Sequence, residues 1–155
     1  MSNLVSIIIP CYNASSYIKE TINSVLTQTF QNFEILVIND GSTDDSSHII
    51  KTIKDDRIHL IEQENHEVSF TRNKGIALAK GEYVVFLDAD DLLHPSFLEK
   101  RVFSLSKSTA IACASSVVLV DKNGEKIEEN KNYFAANKPS QILEFKDGIV
   151  TCPSS

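Results

Sequence analysis

Glu82-Tyr83-Val84-Val85-Phe86-Leu87-Asp88-Ala89-Asp90-Asp91 is the stretch on which the reading of this chain turns. Five apolar or aromatic residues, Tyr83 to Leu87, run without a break into three carboxylates within four positions. A short apolar run rich in β-branched and aromatic residues reads as a strand buried on both faces. Gly81 before it and the acids after it leave room for a strand rather than a helix. In an extended chain alternate residues share a face, so Asp88 and Asp90 are expected to point together and Asp91 away. Like charges this close raise one another's pKa unless something positive lies between them. Oxygen-rich carboxylate sites suit Mg²⁺, Mn²⁺ or Ca²⁺. Taken alone, the three acids read more readily as a solvated turn than as a metal site.

Outward from this stretch, the same pattern recurs. Val5-Ser6-Ile7-Ile8-Ile9 is a second buried strand, which Pro10 is expected to end because it cannot donate to a ladder. Phe33 to Ile38 is a third, and Ile58 to Ile61 a shorter fourth. Between them lie helical patterns. Ile18, Ile22, Val25 and Leu26 follow a plausible N-cap at Ser16. Ser42-Thr43-Asp44-Asp45 matches a capping box ahead of Ile49, Ile50 and Ile53. Ser69 to Ala79 reads as a helix in which Gly75 signals close packing against a neighbour. Pro95 is expected at the first position of a helix carrying Leu98, Val102 and Leu105. Ile111 to Val120 reads as a fifth strand, turning at Asp121-Lys122-Asn123-Gly124 into a return at Lys126-Ile127. From Glu128 the chain is polar and irregular. This β-α-β-α-β-α-β-α-β order implies an α/β fold with a mainly parallel, doubly wound sheet.

The totals narrow the partners. A chain of 155 residues with 42% hydrophobic and 23% charged residues suits one soluble domain. Its net charge of −6 argues against nucleic acid or an anionic membrane surface as the main partner. No apolar run approaches a transmembrane length, and the N-terminus does not read as a signal peptide. Cys11, Cys113 and Cys152 form no C-x-x-C pair, which fits a reducing, cytoplasmic setting.

In an open parallel sheet, ligands sit outside the carboxyl ends of the strands. Three such ends are polar here: Tyr12-Asn13, Asn39-Asp40-Gly41-Ser42, and Asp88 to Asp91. Together they suit a nucleoside diphosphate: Tyr12 flanking a base, Asp40 accepting from a base or ribose, and Asp90 holding a cation on the phosphates. Simple loop residues and a turn leading into a helix are the competing readings. No G-x-G-x-x-G follows the first strand and no G-K-[ST] occurs, so a phosphate would need a metal and a basic side chain. Arg72 is the candidate for the latter, against the plain reading of a surface helix arginine. The four histidines share no ligand spacing, and Cys11 reads as a small filler beside the pocket.

Val5 to Asn13, Gln28 to Glu34 running into Asn39 to Asp44, Arg72-Asn73-Lys74-Gly75-Ile76 and Ala79 to Tyr83 lead in order to Asp88-Ala89-Asp90-Asp91. In sequence and spacing these resemble the family 2 glycosyltransferases, the last resembling their D-x-D motif. The resemblance covers about residues 4–125. It implies a GT-A fold, Rossmann-like and cut short on its C-terminal side, and a nucleotide-sugar donor, usually a UDP-sugar. It implies that Pro10, Tyr12, Asn13, Asp40 and Arg72 bind the nucleotide and that Asp88 contacts the donor's ribose or sugar. Asp90 would lead a Mn²⁺ or Mg²⁺ site, with Asp88 and Asp91 beside it. The implied reaction is inverting transfer of a hexosyl group to the hydroxyl of a saccharide or lipid-linked acceptor in polysaccharide biosynthesis.

Asn39 stands where many members carry Asp, and Glu67 where Gly is common. The family's catalytic base lies well past its D-x-D motif, so it is expected beyond Ser155. Residues 1–125 are thus expected to form the nucleotide-sugar-binding core and residues 126–155 an incomplete acceptor-side segment, in a longer cytoplasmic enzyme working at the inner membrane face. Self-association as a homodimer through residues 139–150 is a further expectation. The rivals are a non-catalytic nucleotide- or metal-binding module and, less well matched, an Asp-nucleophile phosphatase or a glycosidase.

Overall fold

The computed structural model describes residues 3–114, 117–120, 126–130, 134–136 and 150–151. Its centre is a four-stranded parallel sheet built from β1 (Val5–Cys11), β2 (Phe33–Asp40), β3 (Ile58–Gln63) and β4 (Tyr83–Phe86). Helices α1 (Ile18–Leu26), α2 (Ser46–Thr52) and α3 (Val68–Leu78) connect them, and α4 (Phe97–Ser106) follows β4. The order β3-β2-β1-β4 means that the chain steps outward twice and then crosses back over β1. That crossing places a switch point between β1 and β4, where an open α/β sheet offers a crevice.

Burial follows the strand pattern. Every residue of β2 is buried, and Ile7, Ile8 and Ile9 of β1 are fully inaccessible. One face of the sheet packs Ile7, Ile9, Ile35, Val37 and Val85 against Ile18, Ile22 and Val25 of α1, Ile50 of α2 and Leu98 of α4. The other gathers Ile8, Leu36, Ile38 and Val84 under α3. The close packing expected of Gly75 is real: a Cβ there would sit 2.4 Å from Ile8 Cγ2.

Several boundaries differ from the sequence reading. Pro10 lies inside β1, in register with Ile38. The carbonyls of Leu4 and Ile8 accept from Tyr83 and Leu87, so even-numbered residues of β1 face β4. β4 pairs only as far as Ile8, so the N–H that Pro10 lacks would face no partner strand. The caps also differ. Helix α1 starts after Tyr17 and α2 after Asp45, neither with a side-chain cap at that position, and α4 follows Ser96 rather than beginning at Pro95. The expected fifth strand is two strands, β5 (Ala112–Ala114) and β6 (Val117–Val120). β5 lies outside the parallel sheet, antiparallel to β8 (Phe134–Ala136) and β9 (Val150–Thr151). β6 forms the expected hairpin, but with a full return strand, β7 (Lys126–Asn130), where an irregular segment was expected after Glu128. The turn residues 121–125, and all of the expected self-association segment except Val150, lie outside the described residues.

Candidate active site

At the carboxyl ends of β1, β2 and β4 lies an open cleft of about 670 Å³. Its walls bring together Pro10, Tyr12, Asn13, Asp40, Arg72, Asp88 and Asp90, which the sequence scatters over some eighty positions. Asp91 is not on the wall. Cys11 forms part of the floor, and burial pushes its thiol pKa up, as befits a filler.

Asp40 ends β2 and is buried. Its Oδ1 accepts from Gln63 Nε2 at 2.5 Å and from the His66 backbone N–H at 3.0 Å. Its own carbonyl accepts from Asn65 Nδ2 at 2.9 Å. Loop 64–67 thus wraps around Asp40, and Gly41 makes this possible. Its φ of +73° is open to glycine at little cost, and a Cβ there would meet Asn65 N at 2.7 Å. The loop then enters α3, whose Arg72 donates from a terminal nitrogen to Asp88 Oδ1 at 2.7 Å. The guanidinium also lies over Phe86, 5.8 Å from the ring centroid. Arg72 is therefore half-buried on the cleft wall and paired, not a free surface arginine.

The β1–α1 loop is tied to the β2–α2 loop by side chains the sequence suggested were caps. Ser42 Oγ accepts from Asn13 N at 3.0 Å, and Asn13 Oδ1 accepts from Thr43 N at 2.8 Å. Asn13 sits at φ +49°, which its short polar side chain tolerates. Asp44 accepts from Ser15 N and from both the N–H and hydroxyl of Ser46. Desolvation opposes ionisation of Asp44, but these hydrogen bonds outweigh it and hold the carboxyl well below the usual carboxylate range. Exposed Tyr12 and Tyr17 stand on the cleft rim.

The acid stretch is a turn, not extended chain. β4 ends at Phe86, Leu87 makes one more bond to Ile8, and Asp91 N donates to Asp88 O at 3.1 Å. The alternation that set Asp88 and Asp90 on one face therefore does not apply. Helix α1 holds this turn from below. Thr21 Oγ1 donates to Ala89 O at 2.8 Å, Ser24 Oγ accepts from Leu93 N, and Gln28 bridges His94 O and Leu98 N. Among the described residues no three His, Cys, Asp or Glu side chains form a metal-ligand group. The donor chemistry still suits a hard cation shared with a diphosphate, which needs only one or two carboxylates from the protein. Asp90 is exposed, and its side chain has no partner among the described residues. Desolvation, then the charges of Asp90 and Asp88, raise the pKa of Asp91, so negative charge here is under-compensated.

Gln63, Thr71, Thr21 and the His66 N–H were not singled out from sequence. Gln63 was missed because the second helix-to-strand unit was read as ending its strand at Ile61. The strand continues two residues further, and the strand-end rule would then have flagged it.

A parallel sheet with this crossover, opening on a cleft lined by Asp40, Arg72 and an acid turn, is the GT-A fold of glycosyltransferases. S. aureus TarS 1-349, solved in complex with UDP-GlcNAc, superposes with a TM-score of 0.66 at 28% identity, over 70% of this chain and 32% of that one. The mannosyltransferase PcManGT from Pyrobaculum calidifontis, solved in complex with GDP-Man and Mn²⁺, gives 0.67 at 28% identity, over 74% and 35%. The model of glycosyl transferase family 2 matches residues 6–153, and the chain belongs to that family. A Rickettsia bellii protein described as an uncharacterized glycosyltransferase is 38% identical over 151 residues, 96% of this chain and 21% of that protein. The chain thus spans about a fifth of that relative's length. No helix among the described residues is long and apolar enough to cross a membrane.

Proposed function

We propose that the cleft binds the nucleoside diphosphate of a sugar donor, a UDP-sugar, and that these residues are the donor-binding part of an inverting, divalent-metal-dependent hexosyltransferase. The observation that carries this reading is the convergence of Asp40, Arg72, Asp88 and Asp90 on one cleft at the switch point. UDP-GlcNAc bound to TarS, and GDP-Man with Mn²⁺ bound to PcManGT, support it.

In this reading Asp40 accepts from the base, Tyr12 flanks it, and Pro10 and Asn13 shape the loop beneath. Arg72 supports the nucleotide and positions Asp88 through their 2.7 Å bond, so that Asp88 meets the ribose or sugar. Asp90, with Asp88 and Asp91 beside it, would hold Mn²⁺ or Mg²⁺. The cation when bound supplies charge neutralisation to the departing diphosphate. A carboxylate base is needed to deprotonate the acceptor hydroxyl. Asp40 and Asp88 already hold partners in the cleft, so the base is assigned to neither; we take it to lie beyond Ser155, as the family resemblance implies. We assign residues 1–125 to the donor core and 126–155 to the acceptor side, facing a saccharide or lipid-linked acceptor. Two free buried cysteines, Cys11 and Cys113, support a cytoplasmic setting.

Thermal melting with UDP tests this. A ligand at 100 times its Kd adds roughly 2.7 kcal/mol. UDP should raise the melting temperature more with MnCl₂ than with EDTA. Asp90→Ala should remove the metal-dependent part, and Asp40→Ala should weaken binding in both conditions. Equal UDP binding by Asp90→Ala and the parent in Mn²⁺ would sink the metal assignment. Robust transfer to a defined acceptor by residues 1–155 would sink the placement of the base.

A further inference from the structure

Gln63 ends β3 at the corner where Asp40 meets α3. Its Nε2 lies 2.5 Å from Asp40 Oδ1 and 3.1 Å from Thr71 Oγ1. Its Oε1 is buried with no hydrogen-bond partner among the described residues. Burying an acceptor unmet is costly, so the arrangement calls for a reason. Turning the amide over would set Oε1 against the Asp40 carboxylate, acceptor against acceptor. The carboxylate therefore dictates the amide's orientation, and the orphaned Oε1 is the consequence.

What the amide does to Asp40 follows from the count of donors. Gln63 Nε2 and the His66 N–H both fall on Oδ1. Oδ2 takes no hydrogen bond from any described residue, and Asp40 lines the cleft. Two donors on one oxygen fix the plane of the carboxylate and leave the other oxygen as an unmet acceptor. Thr71, fully buried in the first turns of α3, immediately precedes Arg72. One amide thus joins the base-side acceptor to the helix that carries the guanidinium.

We propose that Gln63 is a positioning residue for base selection, an inference that rests on the donor-site reading above. By holding Asp40 as a fixed, pure acceptor, it favours nucleobases that present a ring N–H, such as uracil and guanine. It disfavours cytosine, whose corresponding ring nitrogen is itself an acceptor.

Calorimetric titration of the 155-residue chain with UDP and with CDP in MnCl₂ tests this, alongside the melting temperature of each variant. The parent should prefer UDP. Gln63→Met, close in volume and without the amide, should lose roughly tenfold in UDP affinity, about one charge-assisted hydrogen bond's worth, while CDP changes little. Gln63→Glu sets two acids together that must share a proton, which weakens Asp40 as an acceptor for the ring N–H of UDP. It should move the preference towards CDP, and it keeps the test open should Gln63→Met fail to fold. An unchanged UDP-to-CDP ratio in the variants, or equal loss of both ligands in step with melting temperature, overturns the inference. A parent that binds neither nucleotide overturns the donor-site reading itself. A parent whose UDP binding depends on Asp40 but whose preference ignores Gln63 overturns this inference alone.

Discussion

Replacing Gly41 by Ala should damage stability and ligand binding together, and the structure gives the size of the effect. At φ +73° an L-residue occupies the left-handed region, at about 1–2 kcal/mol. The new Cβ would lie 2.7 Å from Asn65 N, a backbone atom, so loop 64–67 must move. Movement pulls on the bonds from Asn65 Nδ2 and His66 N to Asp40, at 2.9 and 3.0 Å. Losing one neutral and one charge-assisted bond adds about 2–4 kcal/mol. The total of about 3–6 kcal/mol corresponds to a fall of at least roughly 10 °C in melting temperature for a domain of this size. UDP affinity should fall as well, because the displaced donors are the ones that orient Asp40. Gly75→Ala is the control. Its Cβ meets Ile8 Cγ2, a side-chain atom in the core under α3, and neither Gly75 nor Ile8 lines the cleft. Overpacking of about 1–3 kcal/mol, partly offset by about 1 kcal/mol of helix propensity, should lower stability with UDP affinity intact. Urea unfolding and UDP titration of both variants check the reasoning. Gly41→Ala melting within about 2 °C of the parent, a shift worth under about 1 kcal/mol, would refute it.

Three further outcomes are expected. Thr21→Val removes the donor to Ala89 O and should weaken only the Mn²⁺-dependent part of UDP binding, with Thr21→Ser restoring it; titrations with and without EDTA decide this. Glu34, buried at the opposite end of the sheet, accepts from Ser6 Oγ at 2.6 Å and Lys80 N at 2.7 Å. Glu34→Ala should cost about 3–4 kcal/mol in urea unfolding with UDP affinity unchanged, since two donors lose a charged acceptor. Asp55 is held at about 2 by hydrogen bonds from the Arg57 side chain and then its backbone N–H. Its folded pKa lies below the unfolded value, so its contribution is complete above about pH 4 and is lost as pH falls towards 2. Unfolding free energies across that window should show about 1–2 kcal/mol less acid sensitivity in Asp55→Asn than in the parent.

The strands were legible because burial on both faces leaves a continuous apolar run, as in Ile7-Ile8-Ile9 and Val84-Val85. The convergence of Tyr12, Asp40 and Asp88 was legible because sheet topology alone gathers strand ends, whereas Arg72, on α3, was placed in the site only by the family resemblance. What sequence misjudged was local polar geometry. Ser42 and Asp44 have the composition of a helix cap, and Asp44 Oδ1 does hold the Ser46 N–H at the start of α2, but Ser42 Oγ and Asp44 Oδ2 serve Asn13 and Ser15 of a loop some thirty positions earlier. A side-chain oxygen takes whichever N–H the tertiary fold brings nearest, and capping patterns count only local ones. The separation of β5 from the parallel sheet was hidden for a related reason. Strand propensity reports a pleated, half-buried surface and carries no information about which edge the strand joins.

The same distinction bears on how the cleft is built. Many of the residues that would touch a donor are charged, and like charges such as Asp88, Asp90 and Asp91 tend to spread apart when no cation lies between them. Their backbone is held instead by neutral, buried side chains. Thr21 on α1 and Gln28 just after it fix the acid turn and the segment that follows, and Gln63 on β3, bonded in turn to Thr71 of α3, fixes Asp40. These neutral side chains do not titrate, and their bonds pre-organise the site for a diphosphate. Substituting an exposed charged wall residue such as Asp90 should therefore change affinity with little change in stability. Substituting a neutral anchor should change the balance between ligands, metal against no metal for Thr21 and UDP against CDP for Gln63, because each anchor orients one end of the cleft and leaves the other in place.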